Sequence, residues 1–185
     1  MSKQATKTNN DLSLIENKIR LRLMSLPDKK EINILEAFGG EGVLWKEVKK
    51  RTDKKINILS IDKEKYKKVN LQGDNIKFLK GFDLSIYDII DLDSYGSPSK
   101  QLDILFQKGY KGIVHCTFIQ SMMGVVNKNI LYSCGYTDEM INKIPSLFNK
   151  DGINKLLNFI AIKFNTKKVT ICSYCKKNYF FFVIN

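Results

Sequence analysis

The feature that most constrains this chain is its succession of short, largely apolar, β-rich runs separated by helical stretches. Ile32 to Phe38, Ile56 to Ile61, Ile76 to Leu79, Tyr87 to Leu92 and Gly112 to Phe118 read as strands. Val43 to Lys50 and Pro98 to about Lys108 read as helices between them. Such alternation predicts an α/β fold, with a mostly parallel sheet covered by helices on both faces. Val169 to Ser173 and Tyr179 to Ile184, joined by the polar turn Tyr174 to Asn178, predict a C-terminal hairpin that adds antiparallel pairing at one edge.

The flanking segments complete the domain. A helix starting at Asp11 or Ser13 runs to about Met24, with Leu12, Ile15, Ile19, Leu23 and Leu26 on one face. Lys18, Arg20 and Arg22 fall mostly off that stripe, so the helix is expected to cover one side of the core. Asp151 caps a second helix carrying Ile153, Leu156, Leu157, Ile160 and Phe164. The less regular region from Ile119 to Lys150 is the candidate for covering a substrate. No repeat or linker divides the chain: residues 1–10 read as a disordered tail and 11–185 as a single domain.

A chain of 185 residues with 43% apolar content supports one such core. No apolar run approaches the roughly 20 residues that cross a bilayer, and Met1 to Asn10 lacks a signal-peptide core. A cytoplasmic protein without membrane contact is expected. The net charge is +12, from 31 basic and 19 acidic residues. A field of that sign attracts polyanions, which makes RNA or DNA the expected partner. Only Arg20, Arg22 and Arg51 among the basic residues are arginine, and Lys, Ile and Asn share A/T-rich codons, so codon bias is the competing source of the charge. Cys172 and Cys175 have CxxC spacing, but neither a second such pair nor a His pair accompanies them. Reduced thiols and no metal are expected.

The chemistry concentrates where strands end. In open α/β sheets, ligands bind beyond the carboxyl ends of the strands. The first strand leads into Glu36-Ala37-Phe38-Gly39-Gly40-Glu41-Gly42. The glycines permit a sharp turn and close approach to a ligand, but the spacing is not that of a dinucleotide fingerprint. Two carboxylates at this turn suit a cationic ligand. Asp62 ends the second strand, roughly 20 residues on, where a carboxylate accepts both hydroxyl hydrogens of a ribose. Gln72-Gly73-Asp74-Asn75 precedes the third strand and offers groups able to read an adenine. His115, the only histidine, lies within the fifth strand and reads as a packed residue, while Thr117, Phe118 and Gln120 sit near its carboxyl end.

Taken together, these turns resemble those of the class I S-adenosylmethionine (SAM)-dependent methyltransferases, over about residues 31 to 120. The resemblance implies a Rossmann-like sheet of seven strands with one reversed strand, and SAM as cofactor. It implies that Glu36, Gly40 and Gly42, with Phe38 and Gly39 in the same turn, hold the methionyl part. Asp62 and the adjoining Lys63 would hold the ribose, Asp74 or Asn75 the adenine, and Asp91 joins the cofactor set.

The run Asp91-Leu92-Asp93-Ser94-Tyr95-Gly96-Ser97-Pro98 is similar to the fourth-strand motif of the tRNA guanine-N2 dimethyltransferases, and more broadly to the Asp-Pro-Pro-Tyr loop of amino methyltransferases. There an acidic side chain accepts hydrogens from an exocyclic NH2 and an aromatic ring stacks on the base. The resemblance therefore makes Asp93, Ser94 and Tyr95 the expected catalytic set, with Asp93 as acceptor and Tyr95 as platform. Ser94 stands where those families place proline. The implied activity is methyl transfer to an exocyclic amine of a nucleic-acid base. The alternatives are a methyltransferase-fold protein that binds nucleic acid or protein without catalysis, and a methyltransferase with a small-molecule or protein substrate.

Overall fold

A computed structural model describes residues 12–64, 68–94, 98–119, 136–143, 160–166, 169–174 and 177–184. The chain opens with α1 (Leu12–Ser25), then β1 (Glu31–Glu36), α2 (Val43–Lys50), β2 (Lys55–Asp62), β3 (Leu71–Gln72) and α3 (Asn75–Gly81). A 3-10 turn at Leu84–Ile86 precedes β4 (Ile89–Leu92), α4 (Ser99–Gln107) and β5 (Gly112–Ile119). The later elements are α5 (Asp138–Lys143), β6 (Val169–Tyr174) and β7 (Lys177–Ile184).

The sheet order is β3-β2-β1-β4-β5-β7-β6. Neighbours from β3 to β5 pair in parallel, whereas β7 runs antiparallel to both β5 and β6. The C-terminal hairpin thus supplies the one reversed strand. Six of the described strands are four residues or longer, and the remaining edge strand, β3, has only two residues.

The expected third strand is a correction. Ile76 to Leu79 is helical, within α3, and the short β3 lies earlier in the chain. Asp74 caps the helix by accepting from the Ile76 N–H at 3.0 Å, and Leu79, one turn further, is buried. A four-residue apolar run carries no period long enough to separate strand from helix; the cap at its head decides.

Both faces of the sheet are packed. One carries Leu35, Ile61, Ile90, Leu92 and Val114 against Leu79 of α3 and Leu102 and Leu105 of α4. The other carries Ile32, Ile34, Ile56, Ile89 and Ile113 against Ile19 of α1 and Trp45 and Val48 of α2. Strand side chains alternate between faces with a period of two. Continuing each strand on the α1 side past its isoleucines leads from Ile34 to Glu36, from Ile89 to Asp91 and from Ile113 to His115. That face is therefore apolar over its amino half and polar over its carboxyl half.

Candidate active site

Parallel pairing brings the strand ends together. Glu36 lies beside Ser60 on β2 and Asp91 on β4, and Asp91 lies beside His115 on β5. One step further along, Asp62, Asp93 and Thr117 follow on the same side of their strands. Four carboxyl groups from three strands thus share one sheet face at one edge.

The helix α1 answers them with cations. Lys18, Arg22 and Ser25 recur at helical spacing, and Arg22 is only 3% exposed. The Arg22 guanidinium forks onto Asp91, with Nε donating to Oδ2 at 2.8 Å and an NH2 donating to Oδ1 at 3.0 Å. Trp45 of α2 donates its indole N–H to Asp91 Oδ2 at 2.7 Å, and the guanidinium sits 5.6 Å from the centre of the Trp45 ring. Lys18 donates to both oxygens of Asp93 at 2.7 Å, and Thr117 Oγ1 donates to Asp93 Oδ1. Ser94 Oγ in turn donates to the Thr117 carbonyl at 3.1 Å.

Burial sets the charge states. Burial alone raises the Asp93 carboxyl, but the charges of Lys18 and then Arg22 outweigh it and hold the group below the usual carboxylate range. Glu36 goes the other way: burial, reinforced by the charge of Asp91, pushes it well above its ordinary value against the pull of Arg22. Burial also drives His115 well down, helped by Arg22. A neutral imidazole in contact with Ser25 Oγ at 2.7 Å is a packed residue, as expected.

The glycine turn is built around Asp62. Gly39 N–H donates to the Ile61 carbonyl at 2.8 Å, and Gly40 N–H to Asp62 Oδ2 at 2.9 Å. Asp62 Oδ1 accepts from the Glu64 N–H at 2.9 Å. Each carboxylate oxygen keeps a further lone pair, and the residue is half-buried. Gly40 and Gly42 have φ of 50° and 66°, where a side chain is strained. A Cβ on Gly39 would lie 2.8 Å from Val69 Cγ1 and 3.0 Å from Ser60 Cβ, so the turn packs directly on the β2 end.

Glu36, Asp62, Asp91 and Asp93 come together, with Phe38, Gly39, Gly40 and Gly42 in the adjoining turn. Asp91 is fully buried, and both its oxygens are engaged by Arg22 and Trp45. Its place is in holding α1 and α2 to the sheet beneath the site. Asp74 caps α3, while the Asn75 side chain donates to the Ala37 carbonyl at 2.7 Å and accepts from Gln101 at 2.9 Å. Lys63 is exposed just beyond β2. Tyr95, Phe118's side chain and Gln120 lie outside what is described, as do residues 1–10.

Sequence reasoning missed Lys18, Arg22 and Trp45 as site residues. Lys18 and Arg22 point inward, a correction to their expected place off the core-facing stripe of α1. The available signal was the spacing of 18, 22 and 25, which sets them on one helix face beside Ile15, Ile19 and Leu26.

Four carboxyl groups (Glu36, Asp62, Asp91 and Asp93) meet two cations, Lys18 and Arg22, in this cluster. A glycine turn, the Asp62 carboxylate with spare acceptor capacity and a Glu36 carboxyl that an approaching cation would ionise fit a cationic nucleoside. SAM, with its sulfonium, its ammonium and its ribose, has that chemistry.

The fold is that of the class I SAM-dependent methyltransferases, and the chemistry of this donor set fits SAM. No protein-family model matches the chain. Among curated proteins it is similar to the tRNA (guanine(26)-N(2))-dimethyltransferase of Methanobrevibacter smithii, with 27% identity over 175 residues, covering 83% of this chain and 42% of that protein. The chain thus spans less than half the length of this relative. Among solved structures, the precorrin-6y C5,15-methyltransferase of Geobacter metallireducens superposes with a TM-score of 0.54 at 9% identity, covering 98% of this chain and 92% of that one. The CurJ carbon methyltransferase gives a TM-score of 0.53 at 16% identity, covering 91% of this chain and 54% of that one. These two likenesses concern the fold. Among the described residues no helix is long and apolar enough to cross a membrane.

Proposed function

We propose that this domain transfers the methyl group of SAM to an exocyclic amino group of a nucleic-acid base. The observation that carries the reading is an ionised Asp93 at the carboxyl end of β4, in the run Asp91-Leu92-Asp93-Ser94, beside the cluster that fits SAM. The name of the M. smithii relative, a methyltransferase of a guanine amino group in tRNA, supports the substrate class.

SAM supplies an activated methyl on a sulfonium, which departs as a thioether. The protein's task is positioning and the exclusion of water. Asp93 is suited to orienting an amine. A carboxylate held low is a good acceptor and a weak base, so it takes an N–H hydrogen bond and turns the nitrogen lone pair toward the methyl. Among the described hydrogen bonds Oδ2 takes Lys18, with the Arg22 guanidinium 3.8 Å away, and keeps one acceptor position. The proton shed after the N–C bond forms passes to water. Glu36 and the glycine turn would hold the methionyl end, and Asp62 the ribose. Tyr95, two residues beyond Asp93, is proposed as the stacking platform.

A second reading, binding without catalysis, draws on Lys18 being seated on Asp93. One assay separates the two. Protein is incubated with labelled SAM and total RNA and DNA, and the nucleosides are identified. The expected result is label in an N-methylated nucleoside, lost in Asp93→Ala. SAM binding without any transfer would favour the second reading. Label confined to protein would overturn the substrate class, and no SAM binding by calorimetry would overturn both.

A further inference from the structure

The end of β4 and the end of β5 are tied to each other twice, in opposite senses. Thr117 Oγ1 on β5 donates to Asp93 Oδ1, and Ser94 Oγ donates back to the Thr117 carbonyl at 3.1 Å. Ser94 N–H also closes a tight turn onto the Leu92 carbonyl at 2.8 Å. Ser94 and Thr117 are both buried, at 6% and 5% exposure. Neither tie belongs to the sheet ladder, which between β4 and β5 ends at Leu92 and Cys116. A chain leaving a strand through serine has a free φ, so nothing in its covalent structure fixes where the next side chains point. One buried and one part-buried hydrogen bond supply that constraint.

We infer that Ser94 and Thr117 are a reciprocal clamp whose function is to position the Asp93 carboxylate at the mouth of the site. The inference deepens the reading of Asp93 as the amine acceptor and rests on it. Thr117 and Lys18 together hold Oδ1, which fixes the rotation of the carboxylate, and Oδ2, beside Lys18 and 3.8 Å from the Arg22 guanidinium, is the oxygen with an acceptor position to spare. Ser94 fixes Thr117 in turn, because its hydroxyl holds the backbone that carries Oγ1. A hydroxyl donor also favours the ionised carboxylate.

The charged groups facing Asp93 are Lys18 and Arg22 from α1, Asp91 from β4 and Glu36 from β1; Thr117 from β5 is the neutral donor. Replacing Thr117 by valine leaves all four ionisable neighbours and the steric outline in place, and removes only the donor.

The test follows the Asp93 carboxyl by carbon-detected NMR titration of the SAM-free protein, alongside steady-state methyl transfer. Thr117→Val is expected to move the Asp93 titration upward by about 0.5–1 pH unit. It should lower kcat by about tenfold to a hundredfold while the KM for SAM stays within about twofold, since the cofactor side is untouched. Thr117→Ser is expected to restore both. Ser94→Ala should lower kcat in the same way and widen the Asp93 carbon resonance, and it carries the test should Thr117→Val fail to fold.

An Asp93 titration unmoved in Thr117→Val, or unrestored in Thr117→Ser, overturns the clamp. A wild-type protein that transfers no methyl group removes the functional reading instead, and the titration still decides whether the clamp orients and ionises Asp93.

Discussion

At the scale of single residues, the site rests on the Arg22–Asp91 pair. Both groups are almost fully enclosed, with side-chain exposures of 4% and 0%. Burying two charges is expensive, and the pair is tolerable because the fork is bidentate and Trp45 satisfies a further lone pair. Removing one partner strands the other. Arg22→Met is therefore expected to cost about 3–5 kcal/mol, read from urea unfolding. The double variant Arg22→Met with Asp91→Leu should recover part of that loss. The remainder, about 1–3 kcal/mol, is the orphaned Trp45 N–H. A single variant that unfolds at the wild-type urea midpoint would show that the pair does not hold α1 to the sheet. This pair was only half legible in the sequence. Asp91 stood out as an acid inside an apolar run. Arg22 did not, because periodicity ranks residues by polarity and so sends every arginine outward unless its partner is known.

At the scale of elements, the same logic separates what was legible from what was not. β1, β2, β4 and β5 were visible as apolar runs because most of their side chains pack into the two helix-covered cores. The glycine turn was visible because φ at Gly40 and Gly42 is positive, which few other residues tolerate. α3 was not visible, since its one signal is a cap and its apolar run is too short to show a period. The cap makes a prediction about the element that can be separated from any role in binding. Asp74→Ala loses the bond to the Ile76 N–H and is expected to destabilise the fold by about 1 kcal/mol. Asp74→Ser, which keeps a capping oxygen, should restore stability measured by thermal unfolding. If the carboxylate also reads the adenine, the serine variant will still bind SAM more weakly by calorimetry. If it only caps, the serine variant will match wild type in both measurements.

At the scale of the whole molecule, charge is segregated. Several acids are drawn into the site, while most of the basic residues lie outside it. Not all of those are equivalent. At the amino edge of the sheet, Lys29 pairs with Asp88, Lys54 with Asp28 and Lys55 with Glu31. At the carboxyl edge, Lys46 reaches the Glu41 carbonyl of the glycine turn at 3.2 Å, and Lys63 stands exposed just past Asp62. Under the proposed function a nucleic acid delivering a base to Asp93 approaches the carboxyl edge, and there Lys46 and Lys63 are among the described lysines placed to meet phosphates. Each phosphate contact releases condensed counterions and steepens the loss of affinity with salt, by about 0.7 in the logarithmic slope for a single strand. Lys46→Glu or Lys63→Glu should therefore flatten the salt dependence of RNA binding by about that amount, measured by fluorescence anisotropy across a salt series. Lys55→Glu, an equal change in net charge at the opposite edge, should leave the slope unchanged. Equal flattening by all three would mean that the +12 charge attracts nucleic acid without orientation, and that the carboxyl edge is not where it docks.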